Sequence, residues 1–368
     1  CTNRLYCFIN KRIKFIMAYT TINKSTDYFN TKLYTGNGSA GNAQTGIGHQ
    51  PDFVWLKSRT NGEYHNLYDS IRGATKRLSS NLNSTETTIS GLTSFNSDGF
   101  TVGAADTANQ NSQNFVAWNW KAGTTSGITT NASTDTTPSS YSFNQTSGLS
   151  IVKYSGNGST PTKIAHGLGV APKMIIVKRL TGTADWVVGH DSMEWGKYIY
   201  LSSSAASVTA GGAAWENAAP DSINFTVGNN TQINASGSTY IAYCFAEKTG
   251  YSKFGSYIGN ASTDGTFVYT GFKPAFVMVK KYAGTGAWFM KDAKRNPYNP
   301  AEETLAADSA SSAAGWGTGD DIDLLSNGFK MRDDTANINT SGDGYIYMSF
   351  AEAPLVGGTG AGVPCTAR

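Results

Sequence analysis

The chain has 368 residues, which is enough for two or three domains of ordinary size. Only 15% of the residues are charged, whereas Gly occurs 41 times and aromatic residues make up 12% of the chain. This composition is rich in turn formers and carries too much apolar mass for a disordered polymer. No apolar run approaches the roughly 18 residues of a membrane-spanning helix, so we expect no membrane span.

The positive charge is concentrated at the N-terminus. Residues 1–16 contain no anion, and their four cations exceed the formal net charge of +3: Arg4, Lys11, Arg12 and Lys14. The rest of the chain is nearly neutral, and we therefore expect no nucleic-acid partner. Met17 begins a Thr/Ser-rich stretch, and we favour a leader over residues 1–17 that is over-read or disordered. The alternative is a basic arm that contacts membrane or nucleic acid.

The cysteines do not form a recognisable framework. They lie at Cys1, Cys7, Cys244 and Cys365, without CxxC spacing, so neither a disulfide scaffold nor a zinc site is expected. We also find no signal peptide and no cofactor motif, and we expect assembly in a cytoplasm.

Internal repetition is the strongest feature of the chain. The segments 53–57, 174–178 and 276–280 are apolar strands that end in Lys, and a Pro precedes each Lys by six residues. These prolines are Pro51, Pro172 and Pro274. An Asp follows the lysine by 12, 13 and 12 residues, at Asp69, Asp191 and Asp292. Each copy closes with an aromatic strand, at 114–120, 239–245 and 344–350.

The pattern predicts an all-β protein made of three tandem antiparallel β-sandwiches, of the jelly-roll or lectin-like kind. Short segments rich in Val, Ile, Tyr, Phe and Trp alternate with Gly, Asn, Asp and Ser clusters. Met174–Val177 is a continuous apolar run, which is typical of a strand buried on both faces. Residues 301–307 could form a short helix, but their alignment with 197–201 favours a strand.

The expected domain layout follows from the repeats. The three sandwiches cover 18–121, 149–250 and 251–354, and residues 355–368 form a flexible Gly-rich tail. Residues 122–148 are Thr/Ser/Gly-rich and are predicted to be a linker. Because no such spacer separates the second and third copies, we expect those two to pack as a rigid pair.

No catalytic constellation emerges from the sequence. His49, His65, His166 and His190 lack metal-binding spacing, and no GxSxG nucleophile elbow is present. The three repeated Asp residues could serve as glycosidase carboxylates, with Glu194 beside the second. We favour a structural role in which each Asp caps a turn, because repeated units share the residues that maintain the fold. No metal site is predicted.

Aromatic residues in loop-like contexts are the candidate surface-binding groups. Trp195, Trp215, Trp316 and Tyr298, together with Arg295, could contact a glycan, or they could anchor a neighbouring subunit. The other five Trp residues fall on strand patterns and are assigned to the core.

These features resemble a poorly characterised domain family that occurs in tandem in structural and tail-associated proteins of marine bacteriophages. The resemblance covers most of residues 27–354, and its sharpest phrases are 240–247, 251–257, 294–299 and 325–330. The first copy departs from the pattern, because it has Trp120, Lys121 and Ala122 where the second copy has Phe-Ala-Glu. The family carries no established catalytic residues.

The resemblance implies a virion component that is not an enzyme. The first hypothesis is a tail fibre or appendage protein, a homotrimer bound to other virion proteins, that presents loops to a host-surface glycan. The alternative is a capsid decoration or cement protein. A glycan-cleaving virion enzyme that uses Asp191 and Glu194 is the third hypothesis.

Overall fold

Extended strands dominate the chain in the computed structural model, which describes residues 20–316 and 319–354. The predicted all-β class is confirmed, and the sheets are antiparallel. Within the described residues, the α-helices are single turns, α1 (Asp106–Asn109) and α2 (Thr231–Asn234). Short 3₁₀ turns span Ser25–Asp27, Asp191–Met193 and Ala313–Trp316. The expected leader (1–17) and tail (355–368) lie outside the described residues.

The strands follow the three sequence repeats. The first repeat contains β1 (Phe29–Thr35), β2 (Asn42–Gln44), β3 (Phe53–Ser58), β4 (Asn66–Asp69), β5 (Lys76–Arg77), β6 (Thr87–Thr88), β7 (Leu92–Asn96), β8 (Gly99–Val102) and β9 (Asn114–Trp120). The second contains β10 (Ser140–Asn144), β11 (Leu149–Ser155), β12 (Thr162–Ala165), β13 (Met174–Arg179), β14 (Val187–His190), β15 (Lys197–Tyr200), β16 (Val208–Thr209), β17 (Asn224–Val227) and β18 (Thr239–Phe245). The third contains β19 (Ser252–Ile258), β20 (Phe267–Tyr269), β21 (Phe272–Lys281), β22 (Trp288–Asp292), β23 (Leu305–Ala306), β24 (Ile322–Leu325), β25 (Gly328–Met331) and β26 (Gly344–Pro354).

The large sheets of the three repeats share one strand order. Their common part runs β1-β9-β3-β4 in the first repeat, β11-β18-β13-β14 in the second and β19-β26-β21-β22 in the third. Each repeat also has a small sheet, which is β2-β8-β7, β12-β17 or β20-β25-β24. The aromatic closing strand is therefore the second strand of this common part in every copy.

Alternating side chains of the large sheets enter two different cores. In β13, Met174 and Ile176 face a core shared by all three repeats, whereas Ile175 and Val177 face a core belonging to the second repeat. All four side chains are buried, as the continuous apolar run indicates. The first and third repeats have corresponding cores of their own, each built from the large and the small sheet.

Large aromatic rings fill the shared core. Trp120, Phe245 and Phe350 occupy equivalent positions on the three closing strands. The ring centroids of Trp120 and Phe350 are 5.6 Å apart, and those of Phe245 and Phe350 are 6.1 Å apart. Phe53 of the first repeat lies 4.5 Å from Tyr243 of the second. The three large sheets thus surround one apolar centre, which aromatic contacts of this kind stabilise.

Two details differ from the sequence-based expectations. Residues 122–148 are not a free linker, because β10 pairs with β11 and Thr124 bridges to Phe143. The first repeat contacts both of the others through the shared core, so it is no less integrated than the expected rigid pair. Residues 301–307 include strand β23, in agreement with the favoured alternative.

Candidate functional site

The repeated lysines cross the boundaries between repeats. Each lysine side chain is buried, and its ammonium group donates hydrogen bonds to backbone carbonyls of a neighbouring repeat. The contacts are Lys57 Nζ to Ala310 O (3.1 Å), Lys178 Nζ to Asn83 O (3.4 Å) and Lys280 Nζ to Ser204 O (2.9 Å). The first repeat therefore donates to the third, the second to the first and the third to the second. Burial lowers the pKa of each lysine to about 8.

Ring nitrogens form a second set of contacts with the same cyclic direction. At one equivalent position, at the start of β22 and just before β4 and β14, a ring N–H donates to a backbone carbonyl of another repeat. Each acceptor residue adjoins a leucine, which is Leu305, Leu78 or Leu201. The contacts are His65 Nε2 to Ala306 O (2.9 Å), Trp186 Nε1 to Ser79 O (2.9 Å) and Trp288 Nε1 to Tyr200 O (2.8 Å). Trp55 Nε1 donates to His65 Nδ1, which places the His65 proton on Nε2. The three boundaries are thus closed by matching bonds.

Two of the repeated Asp residues cap turns and hold a buried Arg. Asp69 Oδ1 accepts the backbone N–H groups of Ile71 and Arg72, and Asp69 Oδ2 lies 2.5 Å from Arg72 Nε. Asp292 makes the same contacts with Lys294 and Arg295. Each pair is buried, with the carboxylate fully hydrogen-bonded. Such an Asp is held by structural contacts, which is the role the repeat pattern favours.

The second repeat uses His190 in place of this Asp. His190 lies opposite Met174, just as Asp69 lies opposite Phe53 and Asp292 opposite Phe276. Its Nδ1 accepts the Ser192 N–H at 3.2 Å, and its Nε2 donates to Tyr347 O of the third repeat at 3.1 Å. Burial lowers the pKa of His190 to about 4, so the ring is neutral at pH 7.

Asp191 is consequently displaced by one position along the chain. Its side chain is 41% exposed and pairs with Lys173 Nζ at 2.7 Å. The sequence alignment of Asp191 with Asp69 is therefore one residue out of structural register. Pro51, Pro172 and Pro274 are buried and stand at or near the start of the lysine-bearing strands.

The structure places Trp195 and Trp215 in the core of the second repeat, not in exposed loops as expected. Their rings meet edge to face at 5.7 Å, and both pack against Gly189. The equivalent positions to Gly189 carry Tyr68 and Lys291, whose side chains occupy the interior in the other repeats. The two Trp rings thus fill the volume that Gly189 leaves, and neither is available to a surface ligand.

The remaining candidates are dispersed. Arg295 is buried, lies 5.6 Å from the Trp118 ring centroid and donates to Met290 O, so its expected surface role is also excluded. Trp316 is partly buried against Phe289. Tyr298 is 81% exposed and is the one candidate ring that faces solvent freely. The structure does not bring these residues together into one site.

An open cleft of about 490 Å³ lies at the boundary between the first and third repeats. Its lining is Arg59, Thr60, Asn114, Glu302, Glu303, Ala313 and Ala314. Arg59 Nη2 approaches Glu303 Oε1 at 2.7 Å and Oε2 at 2.9 Å, so both oxygens of this carboxylate are engaged. Glu302 is exposed beside the pair. Charged side chains and alanine methyl groups therefore line the cleft together.

A cleft in the equivalent place lies at one of the other two boundaries. Arg59 stands two residues after its lysine, and the equivalents are Leu180 and Tyr282. Leu180 lines a cleft of about 360 Å³ between the first and second repeats. At the third boundary, the carbonyl of Tyr282 accepts hydrogen bonds from the backbone N–H and hydroxyl of Ser207. The three boundaries therefore carry different side chains at this equivalent position.

All four histidines are buried and have backbone partners. His49 contacts Thr26 O, and His166 contacts Asp221 O. Burial lowers the pKa of all four, to about 4 for His166. Residues 20–316 and 319–354 contain no cluster of three or more His, Cys, Asp or Glu side chains suited to a metal ion. No helix of that part of the chain is long and apolar enough to span a membrane.

Sequence reasoning missed one pair of exposed aromatic residues. Phe267 and Tyr269 lie on β20 of the third repeat and are 44% and 53% exposed. The Phe-Val-Tyr alternation is typical of a strand that buries its aromatic side. Here Val268 is the buried residue, so both rings face outward.

The chain belongs to the family described as "Domain of unknown function (DUF7483)", which matches residues 24–354. That match covers all three repeats, so the ring of boundary contacts lies within the family domain. No curated protein matches the chain, and no solved structure does.

Proposed function

We propose that this chain is a non-enzymatic structural protein of a virion. In this proposal it is a tail fibre or appendage component that presents outward loops for attachment to a host-surface glycan. The proposal treats each repeat as a β-sandwich formed by its large and small sheets. The resemblance to tail-associated phage proteins motivates the virion assignment, and the architecture motivates the scaffold role.

The observation that carries the scaffold role is the closed set of contacts between repeats. Lys57, Lys178 and Lys280 all serve as buried donors across a boundary. A ring nitrogen at each boundary adds a second bond of the same direction. Buried polar groups that are fully paired favour one arrangement of the units over alternatives. Such a ring supports a rigid body whose loops keep fixed relative positions.

The use of the titratable groups also supports a structural role. The described histidines are buried, and burial keeps them neutral at pH 7. Asp69 and Asp292 are held by turn N–H groups and a buried Arg. These groups face the interior of the protein, where they cannot reach a substrate. The homotrimer remains a prediction, to be examined by sedimentation of the purified chain.

Immunogold labelling of source virions, with antibody raised against residues 18–355, tests the proposal. We expect label on the tail tip or fibres. Label distributed over the head would replace the appendage by a capsid decoration protein, and no label on intact virions would overturn the virion assignment. Asp191→Asn and Glu194→Gln variants test the enzyme alternative. A glycan-cleaving activity that these variants abolish would contradict the non-enzymatic proposal.

A further inference from the structure

The outward surface of the small sheet in the third repeat combines aromatic and charged side chains. We call it the aromatic face and define it by Phe267, Tyr269, Lys330, Asp323 and Leu325. In the strand register, Phe267 lies beside Lys330, which lies beside Asp323. Tyr269 lies beside Gly328, which lies beside Leu325. These residues alternate with Val268, Phe329 and Leu324, which are buried in the core of the third repeat.

The two aromatic rings are placed side by side along one strand. Phe267 and Tyr269 are two residues apart, so their Cα atoms are separated by about 6.6 Å. The Phe267 ring lies next to Gly328, with its Cε2 atom 3.1 Å from where a Cβ at that position would be. Ile258 is 55% exposed. It lies close to Phe267, because its carbonyl accepts a hydrogen bond from the hydroxyl of the preceding residue, Thr266. The result is a short apolar platform on an otherwise polar surface.

Ion pairs border this platform. Lys330 pairs with Asp264, and Arg332 Nε lies 3.4 Å from Asp323 Oδ2. The contact with Lys330 lowers the pKa of the exposed Asp264 carboxyl. Two cations and two carboxylates give the border no net charge. It therefore offers hydrogen-bond donors and acceptors without selecting for a charged ligand.

The corresponding positions in the other repeats lack aromatic side chains. Thr101 and Thr226 are equivalent to Lys330, and their neighbours are Ala43 and Lys163. The counterparts of Tyr269 are Thr45 and Ala165. In the second repeat, moreover, a chain segment covers this edge, because Asp135 N and Thr136 N donate to Lys163 O. The platform is thus a feature of the third repeat and not of the shared architecture.

We propose that the aromatic face binds an uncharged pyranose oligosaccharide. The apolar faces of successive sugar rings would stack on Phe267 and Tyr269, and sugar hydroxyls would bond the Lys330 and Asp323 groups at the border. Fully buried aromatic residues contribute roughly 150–250 Å² each. A half-exposed pair offers much less than the roughly 800 Å² per partner of a stable protein interface, so a small ligand fits better than a second copy.

This inference rests on the proposed function, because it assigns host-glycan attachment to one surface. The test measures saturation-transfer NMR and affinity of the full chain for maltopentaose, laminaripentaose, cellopentaose and the N-acetylglucosamine pentamer. We expect binding of at least one of them, with transfer strongest at the ring protons of the stacked sugars. The Phe267→Ala/Tyr269→Thr variant carries the residues of the first repeat, and it should weaken that binding at least tenfold.

Tyr64→Ala provides the matched control, because Tyr64 is as exposed as Phe267 (44%) but lies in the first repeat. It should leave the affinity unchanged, and the thermal midpoints of both variants should match that of the parent chain. Absence of binding to all four oligosaccharides, or binding that survives the double substitution, overturns the proposal. So does a self-association that the double substitution abolishes, because that result assigns the face to a second copy. Virion labelling is measured separately, so failure of the virion assignment remains distinguishable.

Discussion

Tyr243 of the second repeat donates its hydroxyl proton to Asp69 of the first repeat, with 2.6 Å between the two oxygens and both side chains buried. The equivalent of Tyr243 in the first repeat is Trp118, whose Nε1–H donates to Asp292 of the third repeat at 3.1 Å. In the third repeat the position is Met348, which has no donor, and the contact moves to His190 and Tyr347 O. One interaction therefore has three chemical forms at the three boundaries.

The first prediction compares the repeated Asp residues. Asp69→Asn should lower the free energy of unfolding by up to about 3–5 kcal/mol, because it leaves the buried Arg72 with only the partly exposed Glu86 as a charge partner. Asp191→Asn is the control, since the half-exposed pair with Lys173 contributes about 1 kcal/mol or less. Urea unfolding followed by circular dichroism measures both values. Equal losses in the two variants would contradict the structural distinction between these residues.

The repeat and the strands could be predicted because they depend on local composition and spacing. The one-residue difference before Asp191 already marked the second copy as unlike the others. The cyclic set of hydrogen bonds between the repeats could not be predicted, because Lys57 and Ala310 are distant in sequence and only the folded chain brings them together. The burial of Trp195 depends on a difference between repeats, because Gly189 leaves volume at the position that Tyr68 fills in the first repeat. Polar neighbours in the sequence gave no sign of that volume.

The second prediction concerns alkaline pH. The three boundary lysines have pKa values of about 8 in the folded chain, against 10.5 when unfolded. Between these values the unfolded chain binds more protons, so stability should rise with pH from about 8 towards 10. Each lysine contributes a slope of roughly 1.4 kcal/mol per pH unit at most. Above about pH 10 the trend should reverse, because burial raises the pKa of tyrosines such as Tyr243.

Urea midpoints at half-unit steps of pH measure this rise. Buried Lys291 also has a pKa of about 8, so Lys178→Met removes one of four similar groups and should reduce the slope between pH 8 and 10 by about one quarter. The exposed Lys24 is the control, and Lys24→Met should leave the slope unchanged. A parent chain whose stability is flat or falls from pH 8 to 9.5 would show that these lysines keep an ordinary pKa.

The third prediction concerns acid. Burial lowers the pKa of His166 and His190 to about 4, whereas an unfolded histidine titrates near 6.5. Stability from these groups is present above pH 6.5 and is lost as pH falls towards 4, by up to roughly 3 kcal/mol for each. His190→Gln keeps one acceptor and one donor at the boundary and should make unfolding less sensitive to pH between 6.5 and 4.5. An unchanged acid dependence in this variant would mean that His190 does not titrate in the expected range.

The last prediction tests the packing around Gly189. A Cβ there would lie 2.5 Å from Trp195 Cζ3 and 2.8 Å from Trp215 Cε2. Because both rings are buried and cannot move outward freely, Gly189→Ala should cost about 1–3 kcal/mol of stability. Gly62→Ala is the control, since its Cβ would meet only Ala310 O at 3.7 Å.

A second substitution separates crowding from other effects of Gly189→Ala. Trp195→Leu removes ring atoms from the contact and should cost stability alone, yet cost less in the Gly189→Ala background. A double-mutant cycle from urea unfolding measures that coupling, which is expected to exceed about 0.5 kcal/mol for residues in contact. Strictly additive losses would mean that the Trp195 ring is not what excludes a side chain at position 189. The backbone around position 189, and not the two tryptophan rings, would then be what requires glycine there.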